Sequence, residues 1–329
     1  MSRDSHTHSD DDESDIELLE ATVPENEAGS RLDQTLARMF PQFSRARLQS
    51  WIKDGRIRVD AERRRPRDTV FGGETVVVEP VEENVAALAP EAMNLDIVYR
   101  DDDVLVVNKP PGLVVHPGAG NAHGTLINGL LHMDESLSAL PRAGLVHRLD
   151  KDTSGVLIVA RTQAAFKALT EAMARRDIHR EYLALCVGAL SGGGTIDEPI
   201  GRHPVDRKKM AVHDRGRPAR THYLIERRYR GYTLVAVTLD TGRTHQIRVH
   251  FAHQRWPLVG DRTYGRTALP RGASEHLRDT LIGFARQALH ARRLSFAHPV
   301  SGETIDVSSE IPEDFAELLA ALDAEASQQ

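Results

Sequence analysis

His147-Arg148-Leu149-Asp150-Lys151-Asp152-Thr153-Ser154-Gly155 runs without a break into Val156-Leu157-Ile158-Val159-Ala160. A polar loop crowded with carboxylates, cations and an imidazole thus enters an apolar run whose length and β-branched content suit a buried strand. Arg148 and Lys151 flank Asp150, and neighbouring cations favour the charged form of an acid, so the position predicts a carboxylate rather than a general acid. On a rigid strand-edge loop such a group can act as a nucleophile or stabilise positive charge at a sugar carbon. It can equally be a turn or salt-bridge residue. Asp152, followed by Thr153, Ser154 and Gly155, fits an Asx-type turn that opens the strand.

Outward from this stretch the chain is strand-rich. Extended segments are expected at 104–107, 113–115, 156–160, 182–187, 223–228, 234–239 and 246–251, with turns of Gly, Pro or Asp between them. Gly231 marks a hairpin. Helical spacing is rarer, at 125–132, 163–175, 275–285 and 313–324. Strands outnumber crossover helices, so the expected class is α+β: a mixed, mostly antiparallel sheet flanked by helices, not a doubly wound fold. In 241–250 polar and apolar residues alternate. A strand there would put Arg248 on a polar face, where it could offer a fixed cation to a carboxylate.

The 329 residues suffice for one large domain or two unequal ones. Residues 1–27 carry a net −9 and residues 302–329 a net −8, which leaves +11 of the overall −6 for the body between them. A basic body between acidic ends suits a polyanion partner. Residues 1–27 are expected to be a disordered tail. Residues 28–79 are expected to form a small basic module, with 11 Lys or Arg against seven acids. Ser30 and Ser44 are candidate helix caps there, and Leu32, Leu36 and Phe40 recur at helical spacing. Residues 80–92, acidic and holding Pro80 and Pro90, are expected to be a linker, and 93–329 a catalytic domain.

Several chemistries find no support. The loop from Gly118 to Gly124 has the wrong spacing for a dinucleotide fingerprint. No Walker sequence, zinc-type His-Glu-x-x-His or Gly-x-Ser-x-Gly elbow occurs. His245, His250 and His253 lack acidic or thiolate company for a catalytic metal. No apolar run approaches the roughly 20 residues of a membrane span. An acidic N-terminus and a single cysteine, Cys186, point to a cytoplasmic address.

Two resemblances sharpen the expectation. SRLDQTLARMF (30–40) and SRARLQSWIKDGRIRVD (44–60) resemble an S4-type RNA-binding domain. In that family the second helix and the loop after it bear on RNA phosphates, which implies roles for Arg45, Arg47, Lys53 and Arg56. Further along, NKPPGLVVHPGAGN (108–121), GTLINGLLH (124–132), RAGLVHRLDKDTSGVLIVA (142–160), REYLAL (180–185), GGTIDEPIGRHP (193–204), TGRTHQIRVH (241–250), WPLVGD (256–261) and RQALHA (286–291) together resemble the ribosomal RNA pseudouridine synthases. GASE (272–275) and HPGAGN bring the chain nearest to the D-type enzymes of the large subunit.

The resemblance implies a catalytic Asp150 and an Arg148 that fills the space left by an extruded base. It implies a Tyr182 that packs on that base, an Arg248 paired with the aspartate and an apolar Ile247 beside it. It also implies 23S ribosomal RNA of the large-subunit precursor as partner, with the helix 69 stem-loop as target. The enzyme would need no cofactor and no metal, because the reaction is an isomerisation without net redox change, and it would be a monomer. Val156 stands where many relatives have Leu. Two other readings remain: a non-catalytic S4-type ribosome-assembly factor, and a hydrolytic N-glycosylase using Asp150 and Asp152.

Overall fold

The computed structural model describes residues 18–327 apart from 42, 44, 80–88, 118–120, 122, 207–208 and 266–268. Two compact units divide between residues 87 and 88. The expected cap at Ser44 and most of the glycine loop at 118–124 lie outside the described residues.

In the first unit the helices α1 (Leu32–Met39) and α2 (Arg45–Asp54) pack on a three-stranded antiparallel sheet. Its strands are β1 (Leu19–Thr22), β2 (Ile57–Val59) and β3 (Thr75–Val78), in the order β1-β3-β2. Leu32, Leu36, Leu48, Trp51 and Ile52 meet Ile57, Val59, Val76 and Val78 in one apolar cluster. The expected tail is corrected here. Leu19 pairs with Val78 and Thr22 with Thr75, while Val23 is buried. The acidic composition of 1–27 hides a four-residue alternation, Leu-Glu-Ala-Thr, whose backbone pairs with the edge of β3 while Leu19 and Ala21 pack against the apolar cluster. Residues 1–17 lie outside the described residues. Ser30 does not cap α1, because the capping position falls on Arg31. Asp33 instead turns inward and accepts from Arg31, Arg45 and Gln49.

The second unit is built on a nine-stranded sheet. Its strands in chain order are β4 (Asp96–Arg100), β5 (Val104–Lys109), β6 (Ser154–Ala160), β7 (His179–Val187), β8 (Gly194–Asp197), β11 (Arg220–Tyr229), β12 (Tyr232–Leu239), β13 (Leu289–Ala297) and β14 (Thr304–Ser308). The short β9 (Ile200–Arg202) and β10 (Met210–Val212) form a separate hairpin. Across the sheet the order is β4-β5-β6-β13-β7-β12-β11-β8, with β14 on β13, and the β6–β13 pair is parallel while the others are antiparallel. This is the mixed, mostly antiparallel sheet expected, and Gly231 turns the β11–β12 hairpin.

Period-two alternation sends each strand's residues to opposite faces. One face carries Leu157 and Val159 of β6, Tyr182 and Ala184 of β7, and Val235 and Val237 of β12. It packs on α3 (Leu126–Met133) and on α5 (Gln246–His253). The other face packs Val156 and Ile158 on α4 (Gln163–Arg175), and Leu183 and Leu185 on α6 (Glu275–Gly283) and α7 (Glu313–Ser327). Helices on both faces explain why β6 is buried along its whole length.

Three further expectations are corrected. Residues 246–251 are helical, not extended. Gln246 to Phe251 are all buried, so no polar stripe reveals the 3.6-residue period, and a chance alternation reads as a strand. Residues 113–115 make a single bridge, Val114 to Thr125, instead of a strand. The end of the expected linker is anchored in the second unit, where Asn128 Nδ2 donates to the Ala89 carbonyl and Glu91 N donates to the Asn128 carbonyl.

Candidate active site

The 147–155 loop owes its shape to its neighbours. Gly155 has φ +112°, and a Cβ there would lie 2.1 Å from the Ala291 carbonyl oxygen, so only glycine lets β6 approach β13 this closely. Thr153 N donates to the Asp150 carbonyl and closes the turn. Lys109, at the end of β5, has no exposed surface. Its Nζ donates to the carbonyls of Pro110, Leu113 and Lys151 at 2.8, 2.9 and 2.8 Å. Burial pulls the Lys109 ammonium down to about 7, with Asp152 and Asp150 opposing. From the other side Gln287 Nε2 donates to Thr153 Oγ1 at 3.0 Å, and Arg286 reaches the Asp152 carbonyl while paired with Asp314. Three donors from outside the loop therefore hold it, two on its backbone carbonyls and one on the Thr153 hydroxyl.

Asp150 points into a cavity of about 380 Å³. Arg148, Tyr182, Ile247 and Arg248, all expected at one site, line it together with Asp150. Asp152 is not in its wall, so it is not placed to form an acid pair with Asp150; the other carboxylate there, Asp240, is engaged by His222, Arg220 and Arg176. Arg248 Nη1 donates to Asp150 Oδ2 at 3.0 Å. The far side of the same guanidinium is held by Asp261, with Nε to Oδ2 at 2.7 Å and Nη2 to Oδ1 at 2.9 Å. Asp261 Oδ1 also accepts from the backbone of Thr263 and Tyr264. Burial works to raise Asp261, but the donors from Arg248 and its charge outweigh it and hold the carboxyl below its usual range.

Tyr182 is 6% exposed and shares its apolar cluster with Ile247. Burial pushes its phenol up, so it stays protonated at neutral pH. His245 starts α5 in the left-handed region, φ 57°. Its Nε2 lies 3.8 Å from Asp150 Oδ1, and its Nδ1 is 2.7 Å from the Tyr264 hydroxyl. That hydroxyl already accepts from Met210 N, which leaves its own proton for Nδ1 and puts the histidine's remaining N–H toward Asp150. Burial lowers the His245 pKa, with Asp150 opposing. Arg148 is exposed at the cavity mouth.

The cations expected to bind RNA in the first unit divide. Arg45 is bound to Asp33 at 2.8 Å and Arg56 to Glu79 at 3.1 Å. Arg47 lies 5.5 Å over the Trp51 ring, while Lys53 is exposed. Reading the sequence assigned no role to Lys109, Asp261, His245, Tyr264, Arg286 or Gln287. Lys109 leaves one usable signal: counting by twos from Leu105 and Val107 puts it on the inward face of β5. A lone Asp after Gly260 carries no such mark.

Known proteins resemble the chain along nearly all its length. The family described as RNA pseudouridylate synthase matches residues 103–253, and the S4 domain matches residues 30–76. A protein of Xanthomonas campestris pv. campestris named ribosomal large subunit pseudouridine synthase D is 57% identical over 94% of this chain and 93% of its own length. The chain belongs to the RNA pseudouridine synthase family. A protein of Escherichia coli O157:H7 with the same name is 50% identical over 93% of this chain and 95% of its own. The solved structure of human RNA pseudouridylate synthase domain containing 1 superposes with a TM-score of 0.52 at 30% identity, covering 67% of this chain and 84% of that one. This pseudouridine synthase is therefore an isomerase with an S4 domain ahead of its catalytic unit, and no helix among its described residues is long and apolar enough to cross a membrane.

Proposed function

We propose that this pseudouridine synthase converts specific uridines of 23S ribosomal RNA to pseudouridine in the large-subunit precursor, with the helix 69 stem-loop as its target and Asp150 as its catalytic carboxylate. The carrying observation is the Asp150 carboxylate, held at 3.0 Å by Arg248 in a cavity walled by Tyr182. The names of the large-subunit relatives support the choice of RNA.

The chemistry follows from the residues. A paired uridine cannot reach Asp150, so the base must leave its stack. A cavity of about 380 Å³ is in the range that encloses a small ligand. Arg148 at the mouth enters the space the base leaves, where a planar cation can stack and meet phosphates. Tyr182 packs against the extruded base and Ile247 closes the apolar side. The N-glycosidic bond breaks, the base turns, and C5 joins the ribose. Asp150 serves the sugar or base centre during that exchange, and Arg248 keeps it oriented. Atoms and electrons balance within the nucleotide, so the reaction calls for no redox cofactor; on the same reading the enzyme is a cytoplasmic monomer.

A pseudouridine map of ribosomal RNA from cells lacking the protein tests the target. Loss of pseudouridine in helix 69 is expected, and an unchanged 23S map would refute the choice of RNA. Asp150→Asn should keep RNA affinity and lose isomerisation. Full pseudouridine formation by that variant would refute the role of Asp150.

A further inference from the structure

Arg180 is a buried cation with no anion paired to it among the described residues. It lies on β7 two residues before Tyr182, on the same face of the strand, and is 8% exposed. Its Nε is buried with no hydrogen-bond partner. Its guanidinium forms no ion pair with any described residue. The other buried arginines of this unit are matched, Arg248 by Asp150 and Asp261 and Arg286 by Asp314. Asp240 lines the same cavity but is engaged by His222, Arg220 and Arg176, and the other groups around Arg180 cannot neutralise it. Burial, and then the charge of Arg180, hold His147 down at about 3, so that imidazole is neutral. Burial keeps the Tyr182 phenol protonated. Gly242 lies so close that a Cβ there would sit 3.0 Å from Arg180 Nη1. His147, Arg180, Tyr182 and Gly242 all line the cavity that holds Asp150.

Keeping such a charge buried and unpaired costs several kcal/mol. A fold tolerates that cost at a site where an anion arrives during function. We propose that Arg180 is a second catalytic residue, which receives the negative charge that the uracil ring acquires as its bond to the sugar breaks. This rests on the reading that the cavity takes the extruded uridine. When the C1′–N1 bond opens, its electron pair stays on the base and spreads over N1, O2 and O4, while the electron-poor C1′ faces Asp150. The guanidinium donates N–H bonds to a carbonyl oxygen of the base and gives up no proton. When C5 joins C1′ the new bond uses an electron pair of the base, the C5 proton leaves and N1 gains one, so the sum is unchanged. A preorganised donor aimed at charge that develops only in the transition state is worth roughly 100-fold or more in rate.

Backbone phosphate offers the same oxyanion chemistry, but depth favours the base. Arg148 and Arg243 stand more open to solvent along the same cavity, where a strand backbone passes, whereas Arg180 shares the face of Tyr182.

The test uses the full chain and a target stem-loop RNA. Arg180→Met removes a buried unpaired charge, so its melting temperature should equal or exceed that of the wild type. Its RNA affinity should stay within about twofold. Its single-turnover rate at saturating RNA should fall by about 100-fold, with Arg180→Lys between the two. A weaker affinity with a salt dependence shallower by about one charge, at an unchanged saturated rate, would assign Arg180 to a phosphate and overturn the proposal. A lower melting temperature at an unchanged rate would make it a packing residue and overturn it too. If the wild type itself forms no pseudouridine in the stem-loop, the choice of RNA fails. If the wild type is active and Arg180→Met keeps its rate, only the role of Arg180 fails.

Discussion

Asp261 grips Arg248 with both carboxylate oxygens, at 2.7 and 2.9 Å, from a side chain with no exposed surface. Arg248 then has one direction left, Nη1 toward Asp150. The orientation of Asp150 is thus set at one remove by a residue that does not line the cavity. Asp261→Asn should lower kcat by about 10- to 100-fold, the usual cost of losing an outer partner of a functional group. RNA affinity should hold, because no phosphate-facing cation changes. Asp261→Ala leaves Arg248 with a single carboxylate and should cost about 3 kcal/mol in urea unfolding. Unaltered kcat in Asp261→Asn would show that Arg248 orients Asp150 without help.

The positioning of Asp150 separates what a single chain reveals from what it conceals. Strands β5, β6 and β12 and helix α4 are readable because turn residues bracket clear apolar runs or a clean helical period. Helix α5 is unreadable because burial on every side erases its polar stripe. Strand β13 is hidden differently: a register shift between Ala291 and Arg293 breaks its alternation, and two arginines interrupt its apolar run. Asp150, Tyr182 and Arg248 stand in motifs dense enough to suggest their chemistry. The donors that hold the loop come from 40 or more positions away. Two of the three, Lys109 and Arg286, act on backbone carbonyls, which look alike in any sequence.

Gly155→Ala tests how tightly the loop is clamped. The substitution meets a positive φ, which costs roughly 1–2 kcal/mol for an L residue, and a Cβ position 2.1 Å from the Ala291 carbonyl. Relief needs β6 and β13 to part next to Ser154 Oγ and His290 Nδ1, which lie 3.0 Å apart. Destabilisation of about 3 kcal/mol or more is expected, with loss of activity. Wild-type stability in urea would mean that the two strands can separate at little cost.

Cations in the S4 domain should not behave alike. Burial works to raise Asp33, but donors from Arg31, Arg45 and Gln49 outweigh it and hold the carboxyl at about 2. Arg45→Ala should therefore act mainly on folding, by about 1–3 kcal/mol, since it strips a donor from a buried carboxylate. Lys53→Ala should leave the melting temperature unchanged. It should weaken RNA binding and flatten the plot of affinity against salt by about one charge. Filter binding of the target stem-loop at three salt concentrations distinguishes them. Equal salt slopes for Lys53→Ala and the wild type would remove Lys53 from the RNA interface.

Buried histidines should give the protein an acid-sensitive range well above that of its carboxylates. Burial holds His147 down at about 3 and lowers His250 and His290 as well. Each of the last two is satisfied as a neutral ring. His250 lies between Thr221 Oγ1 at 2.8 Å and the Glu198 carbonyl at 2.9 Å, and His290 between Ser154 Oγ at 3.0 Å and the Ser309 carbonyl at 3.1 Å. In the unfolded chain these rings titrate near 6.5. Below that pH the unfolded state binds more protons than the folded one. The stability that neutral burial confers is therefore complete above about 6.5 and is lost as pH falls toward the lowered folded values. Each histidine contributes a slope of about 1.4 kcal/mol per pH unit within its own window. Urea unfolding between pH 7.5 and 4.5 should show a decline that begins near 6.5, before the carboxylates of Asp33 and Asp261 take up protons. His147→Gln should flatten that decline by about one proton. A stability that stays level from pH 7.5 to 4.5 would mean that these rings already carry charge in the folded protein.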